Sequence, residues 1–421
     1  LNKSLLKTIG PGLLIAATGV GAGDLAGGAF AGSKLGMAVL WAVLLGAFFK
    51  FVITEGLTRY QLATGDTLLE GLFKNYGKPV EIFFLVYLLI WSFSVGSALI
   101  SASGVATHAL IPVFDSADTG KIVWGIILSI VGLVIVLLGN YESFEKLMSY
   151  CVGLMFLTVL ITAAFIRPDF FELVKGTFIP TIPDYINPEG SNQGVIWTLA
   201  LMGGVGGTLT ILSYGYWIRE KGRSDSNFLK TCRIDLITAY AVTALFGMSM
   251  VIISSQIDLD KQSSSKLVVS LSEKLKEFIG DTGSVIFLVG AWAAVFSSLL
   301  GVWQSVPYMF ADFWNTFTKK NSGKDIQTID TKEKPYRLFL LFLTFVPMIS
   351  LGYKFVFIQK VYAVLGSLVI PFISLALLFL NREKHAQLYS NKLSTRLVLI
   401  FIVMLFLFIG LPELFESIIQ F

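Results

Sequence analysis

Apolar runs of roughly 18–25 residues recur along the whole chain, and each is as long as a helix must be to cross the hydrocarbon core of a bilayer. Of the 421 residues, 55% are hydrophobic and 14% charged, whereas a soluble domain carries about a quarter charged residues to cover its water-facing surface. Barrel strands would be about ten residues long with alternating polarity. The runs Ile122 to Gly139 and Leu397 to Gly410 do not alternate. The expected class is an all-α integral membrane protein.

Punctuation by Gly, Pro and charge predicts spans at 8–33, 38–60, 80–108, 122–139, 145–166, 194–217, 230–254, 283–313, 336–352, 358–380 and 396–419. They read as a single transport domain with a first repeat at 8–166, a second at 194–380 and an extra helix at 396–419. The first run lacks a small-residue cleavage signature and is read as a span rather than a leader. Every second loop is basic, beginning with Lys3 and Lys7 and continuing through Lys74 and Lys78, Arg219 to Arg233, Lys319 to Arg337, and Arg382 to Arg396. The positive-inside rule therefore predicts a multi-pass cell-membrane protein with its N-terminus cytoplasmic and its C-terminus external. The loop at 169–193 is acidic and Pro-rich, and Lys261 to Lys276 reads as an amphipathic external segment.

Net charge is +4 with no aromatic-interleaved basic tract, so nucleic acid is not an expected partner. Cys151 sits in an apolar run and Cys232 in a basic loop, and His108 and His385 are far apart. These positions indicate neither a disulfide nor a metal-ligand cluster. No obligatory protein partner and no resident cofactor are indicated.

Two spans are abnormal. The first contains Thr18-Gly19-Val20-Gly21-Ala22-Gly23-Asp24 followed by Gly27-Gly28, and the sixth contains Gly203-Gly204-Val205-Gly206-Gly207-Thr208. Each helix-interior glycine costs about 1 kcal/mol relative to alanine, so both stretches are expected to unwind. Lipid cannot satisfy freed backbone groups, so such breaks must face protein or a polar cavity. Two interrupted helices five apart in order form the pattern of an inverted repeat, helices 1–5 against 6–10, with a substrate site at the crossing. The alternative is close small-xxx-small packing. Asp24 favours a site, because an intramembrane carboxylate is expensive and usually functional. No basic partner for it stands near it in sequence.

The chain resembles the Nramp (natural resistance-associated macrophage protein) family of divalent-metal transporters. The resemblance rests on Gly10-Pro11-Gly12, the stretch Gly32 to Trp41, Ala63-Thr64-Gly65-Asp66, Glu145-Lys146-Leu147-Met148, Arg233-Ile234-Asp235, Ser297-Ser298 and Pro371-Phe372. It implies the LeuT-type fold and transport of a small inorganic ion by alternating access. The family's metal ligands do not carry over. Its Asp-Pro-Gly-Asn falls on Gly21-Ala22-Gly23-Asp24, its Met-Pro-His on Ile211-Leu212-Ser213, its helix 10 Gln on Val369, and its helix 3 acidic pair on Ala98 and Ser101. The soft ligands that select transition metals are therefore missing, and the transition-metal site reads as dismantled.

What remains suggests two sites. Gly21, Gly23, Asp24, Gly207, Thr208, Thr210 and Ser213, with Ser97 and Ser101 of helix 3, would form a small pocket rich in donors. Exposed helix N-termini there favour an anion. Ser297, Ser298 and Asp24 would hold a sodium ion, because hydroxyl, carbonyl and carboxylate oxygens suit a hard cation. The leading expectation is a sodium-coupled carrier of a small anion such as bicarbonate. The alternative is a carrier of Mg or Mn in which Asp24 binds the ion, and the more distant one is a channel or membrane sensor. An enzyme is not expected, since Ser213 has no base beside it in sequence. Glu55 and Arg59 sit four apart on one helix face, as a gate element or a capped end. Trp91, Trp217 and Trp303 are candidates either to close the cavity or to form an interfacial belt.

Overall fold

The computed structural model describes residues 10–21, 23–186, 192–256, 267–318, 330–382 and 390–410. Among them the chain is almost wholly helical. Nine helices are long and apolar enough to cross a membrane, and Gly10–Gly19 and Leu393–Ile409 are shorter apolar segments. Among the described residues the second to tenth predicted spans are present, the first is divided between α1 (Gly10–Gly19) and α2 (Gly28–Leu35), and the eleventh is described only to Gly410, its residues 411–419 lying outside the described set. Then follow α3 (Leu40–Thr64), α4 (Leu68–Tyr76), α5 (Lys78–Leu110), α6 (Ala117–Leu138), α7 (Tyr141–Phe165) and α8 (Phe170–Phe178). The sixth span is α9 (Gly194–Gly204) and α10 (Ser213–Glu220), joined by a 3-10 turn at Leu209–Leu212. The last elements are α11 (Leu229–Ser254), α12 (Leu267–Thr318, kinked at Gly280), α13 (Lys334–Phe345), α14 (Phe355–Leu380) and α15 (Leu393–Leu405).

The two halves repeat one another. Each begins with a broken helix, and each places a short helix between its second and third spans, α4 in the first half and the part of α12 before Gly280 in the second. Thr67 caps α4 in a capping box, accepting from the Glu70 amide while the Glu70 carboxylate accepts from the Thr67 amide, which fixes two of the four amides orphaned at a helix start. The described part of Lys261 to Lys276 is the helix running on from Leu267; residues 257–266 lie outside the described set. The predicted outer loop at 169–193 carries α8 and docks on the second span: Trp41 Nε1 donates to the Thr181 carbonyl at 3.0 Å. Residues 187–191 of that loop are likewise outside the described set.

Large apolar side chains such as Phe83, Val86 and Ile90 on α5 and Leu397, Ile400 and Phe401 on α15 face outward. On a soluble protein such a band would aggregate. On a helix bundle in lipid it is the solvated surface.

The interrupted helices touch at their breaks. A Cβ placed on Gly19 would lie 2.6 Å from the Gly206 carbonyl carbon and 2.9 Å from the Gly207 nitrogen, so only glycine permits this backbone-to-backbone approach. Gly206 and Gly207 have φ of +75° and +85°, a region closed to most other residues. Gly19→Ala is expected to destabilise the protein by about 1–3 kcal/mol, the usual cost of overpacking, and to lower the unfolding midpoint in detergent by several degrees. An unchanged midpoint would show that the crossing is looser than drawn.

Candidate functional site

Helix 1 ends its first half at Gly19 and resumes as a π-helical turn at Gly23–Gly27 that carries Asp24. Single π turns inside α-helices often mark functional sites. Asp24 is fully buried. Its Oδ2 accepts from the Gly206 amide at 3.3 Å, which ties helix 1 to the break in helix 6. Its Oδ1 has no hydrogen-bond partner and faces Gly247 of α11. A buried carboxylate oxygen left unpaired is costly unless something else fills its place.

Helix 6 unwinds between Gly204 and Leu209. The Gly207 amide bonds back to the Gly204 carbonyl, and the Ile211 amide to that of Thr208. The Gly203 and Gly207 carbonyls therefore lose their ordinary helical donors. Lys50, from the middle of α3, replaces them. Its ammonium donates to the carbonyls of Gly203 at 2.8 Å and Val205 at 3.2 Å, and to that of Gly207. Lys50 is fully buried. No basic side chain of helix 1 pairs with Asp24; the cationic group at this crossing, Lys50, comes from the next helix. Lys50 is not among the residues singled out from the sequence, although it is an ionisable residue alone among Phe48, Phe49 and Phe51 in an apolar span, where such a group is usually functional.

The other predicted residues divide. Thr208 is buried and accepts from Trp91 Nε1 at 3.0 Å, so Trp91 closes on the break. Trp91, Trp217 and Trp303 are all buried, which excludes the belt reading for them. Thr210 lies beside Gly207, and Ser213 is buried with its hydroxyl unpartnered. Gly21 abuts Ser298 and Gly207 abuts Gly19, while Gly23 opens the π turn. Ser97 is not brought to the crossing: its hydroxyl donates to the Phe93 carbonyl at 2.7 Å and faces that of Pro347 at 3.4 Å. Its helical position turns it toward the ninth span. Ser101 bonds the Ala98 carbonyl and receives Gln359 of α14.

Ser297 and Ser298 meet helix 1 where its first half ends. Ser298 Oγ donates to the Thr18 carbonyl at 2.6 Å and Ser297 Oγ to that of Ala17 at 3.3 Å. The serine hydroxyls and freed carbonyls do come together. Asp24 does not join them through a hydrogen bond, since its bond goes to Gly206. Among the described residues, no three His, Cys, Asp or Glu side chains gather in one place.

The basic end of the bundle is closed by ion pairs, of which Arg223–Asp235 is buried and Lys221–Glu145 partly exposed. Arg219 pairs with Glu70 at 2.9 Å, Lys221 with Glu145 at 2.7 Å and Arg223 with Asp235 at 3.1 Å. Glu55 holds both Arg59 and Arg233 at 2.7 Å, and Arg59 reaches Asn391. The Glu55–Arg59 pair thus links three parts of the chain rather than capping one helix. Asp235 also accepts from the Gly12 amide and the Tyr214 hydroxyl.

A bundle of this architecture, with paired helix breaks and one acidic side chain between them, has a clear likeness among known proteins. The profile of Nramp, natural resistance-associated macrophage protein-like, matches residues 12–415. The chain belongs to the Nramp family. Its Nramp relatives include the divalent metal cation transporter MntH of Bacillus subtilis, 23% identical over 60% of this chain and 58% of that protein. Another is the metal transporter NRAT1 of Oryza sativa subsp. japonica, 24% identical over 69% of this chain and 54% of that protein. The chain spans a little over half the length of these curated relatives. Among solved structures, the Eremococcus coleocola manganese transporter superposes with a TM-score of 0.77 at 13% identity, covering 98% of this chain and 87% of that one. MhsT in complex with L-phenylalanine superposes with a TM-score of 0.62 at 14% identity, covering 96% and 98%. These likenesses show the LeuT-type fold of this Nramp protein. It is a multi-pass membrane protein of this family.

Proposed function

We propose that the protein is a secondary carrier of a divalent metal cation of the hard kind, Mg or Mn, bound through oxygen. The observation that carries this reading is the donor set at the crossing. The carbonyls of Gly203, Val205 and Gly207 already surround a cationic group, and Asp24 adds a buried carboxylate with one oxygen unpartnered. Oxygen-only ligands suit Mg and Mn, and with neither thioether nor imidazole they offer no preference for softer ions. Magnesium keeps several of its waters when bound, so Asp24 would hold it partly through water. The names of the curated relatives, which are divalent metal cation or metal transporters, support the same class.

Protein reconstituted in vesicles should take up Mn or Mg saturably, with each ion inhibiting the other. A second reading, a carrier of a small anion such as bicarbonate coupled to sodium, is favoured by one observation. The Lys50 ammonium, donating to the carbonyls of Gly203, Val205 and Gly207, gives the crossing a cationic group of its own. In that reading Ser297 and Ser298, with the Ala17 and Thr18 carbonyls, hold the sodium. Labelled bicarbonate accumulating on a sodium gradient, with no uptake of Mn or Mg, would decide for it.

The basic loops place the N-terminus on the cytoplasmic side and the far end of the eleventh helix outside. A cysteine introduced at exposed Tyr353, on the opposite end from the basic loops, should react with an impermeant thiol reagent on whole cells. Labelling only after permeabilisation would reverse the orientation.

A further inference from the structure

Lys50 has two possible meanings. It can be a permanent staple that satisfies the carbonyls of a broken helix, or it can be a movable occupant of the place a transported cation takes. We propose the second: Lys50 is a tethered cation that fills the substrate position in the empty carrier and is expelled when the ion binds. This rests on the cation reading above and adds to it the residue that sets affinity.

The argument starts from ligand capacity. An ammonium has three donors and no acceptor, and here its three acceptors are backbone carbonyls on one unwound stretch, Gly203, Val205 and Gly207. A metal ion at the crossing would draw on these same oxygens, the ones freed by the break and facing inward. They cannot coordinate an ion and an ammonium at once. Asp24 sits across from them on helix 1, held by the Gly206 amide between those carbonyls, so its charge is shared by whichever cation is present.

A tethered cation also satisfies the break whenever no ion is bound there. Freed carbonyls at membrane depth must be satisfied within the protein, and the Lys50 side chain does this without a substrate. Lysine suits such a part better than arginine. Its stem is long and flexible and its head compact, whereas a guanidinium is a rigid planar fork. Thr54, one turn on, donates to the Lys50 backbone carbonyl at 2.7 Å and meets the Tyr240 hydroxyl at 2.6 Å, so it does not hold the Lys50 ammonium.

The test compares Mn binding to the purified full chain and to Lys50→Met, which keeps the stem and removes the charge. A competitor that holds the site lowers apparent affinity by the fraction of time it leaves the site free, so Lys50→Met is expected to bind Mn at least about tenfold more tightly. Its unfolding midpoint should rise on adding Mn by more than that of the wild type. Lys50→Arg, which keeps the charge, should bind no more tightly than wild type. If Lys50→Met is folded and its Mn affinity is equal to or lower than wild type, Lys50 is a staple and the proposal is overturned while the cation reading stands. If Lys50→Met is monodisperse only when purified with Mn, the metal has taken the ammonium's place, as proposed. A variant that aggregates even in millimolar Mn overturns the proposal. Absence of Mn and Mg binding in the wild type, together with bicarbonate uptake, overturns the cation reading and this inference with it.

Discussion

Asp24→Asn is expected to reduce Mn or Mg uptake by about 100-fold or more while the protein remains folded. The substitution keeps the side chain's shape and its ability to accept from the Gly206 amide, and removes only the charge. A hydrogen bond or close contact to a charged group is worth roughly 1.5–3 kcal/mol net. Breaking a desolvated charge pair costs about 2–5 kcal/mol, which corresponds to a factor of thirty to several thousand in affinity. Loss should appear both in uptake and in direct binding. The same variant separates the two functional readings by sign. An anion carrier freed of a repelling carboxylate would keep or gain uptake, whereas a cation carrier loses it. Uptake of Mn within threefold of wild type would remove Asp24 from the ion's path.

The second large effect lies at the basic end. Asp235→Ala should destabilise the protein by about 3–5 kcal/mol, the cost of leaving a buried charge without its partner. One carboxylate oxygen accepts from the Gly12 amide at 2.9 Å, the Tyr214 hydroxyl at 3.0 Å and the Arg223 guanidinium at 3.1 Å. Its removal takes the buried carboxylate away from Arg223 and leaves an early amide of α1 uncapped at once. Asp235→Asn can still accept from one or two of these donors and should fall between the two. Thermal unfolding in detergent, followed by the intrinsic fluorescence of the eight tryptophans, measures both. Equal midpoints for wild type and Asp235→Ala would mean that the network is decorative.

The parts of this architecture readable in the sequence are those written in local spacing. Eleven apolar runs give eleven spans, and glycines clustered at 19–28 and 203–207 give the two breaks. Asp24 among them is visible because a single charge in an apolar run has no cheap explanation. The partners of that charge are a different matter. Lys50 meets carbonyls more than 150 positions away, and Asp235 reaches back to Gly12 over 223. Hydropathy carries no information about such pairings, which arise only when the two halves pack. Ser97 shows the converse. Serines at 97 and 101 share a helix face by spacing, yet the ninth span lies against the first of them and α14 against the second. A helical repeat specifies a face but not which neighbour it meets.

Arg219, Lys221 and Arg223, three residues in a stretch of five, reach Glu70 ahead of the third span, Glu145 on the fifth and Asp235 on the seventh. The tail of the sixth span is therefore moored to three separate bodies by ropes of similar length. It cannot swing away from one without slackening the others, and losing any one mooring leaves two to hold the tail.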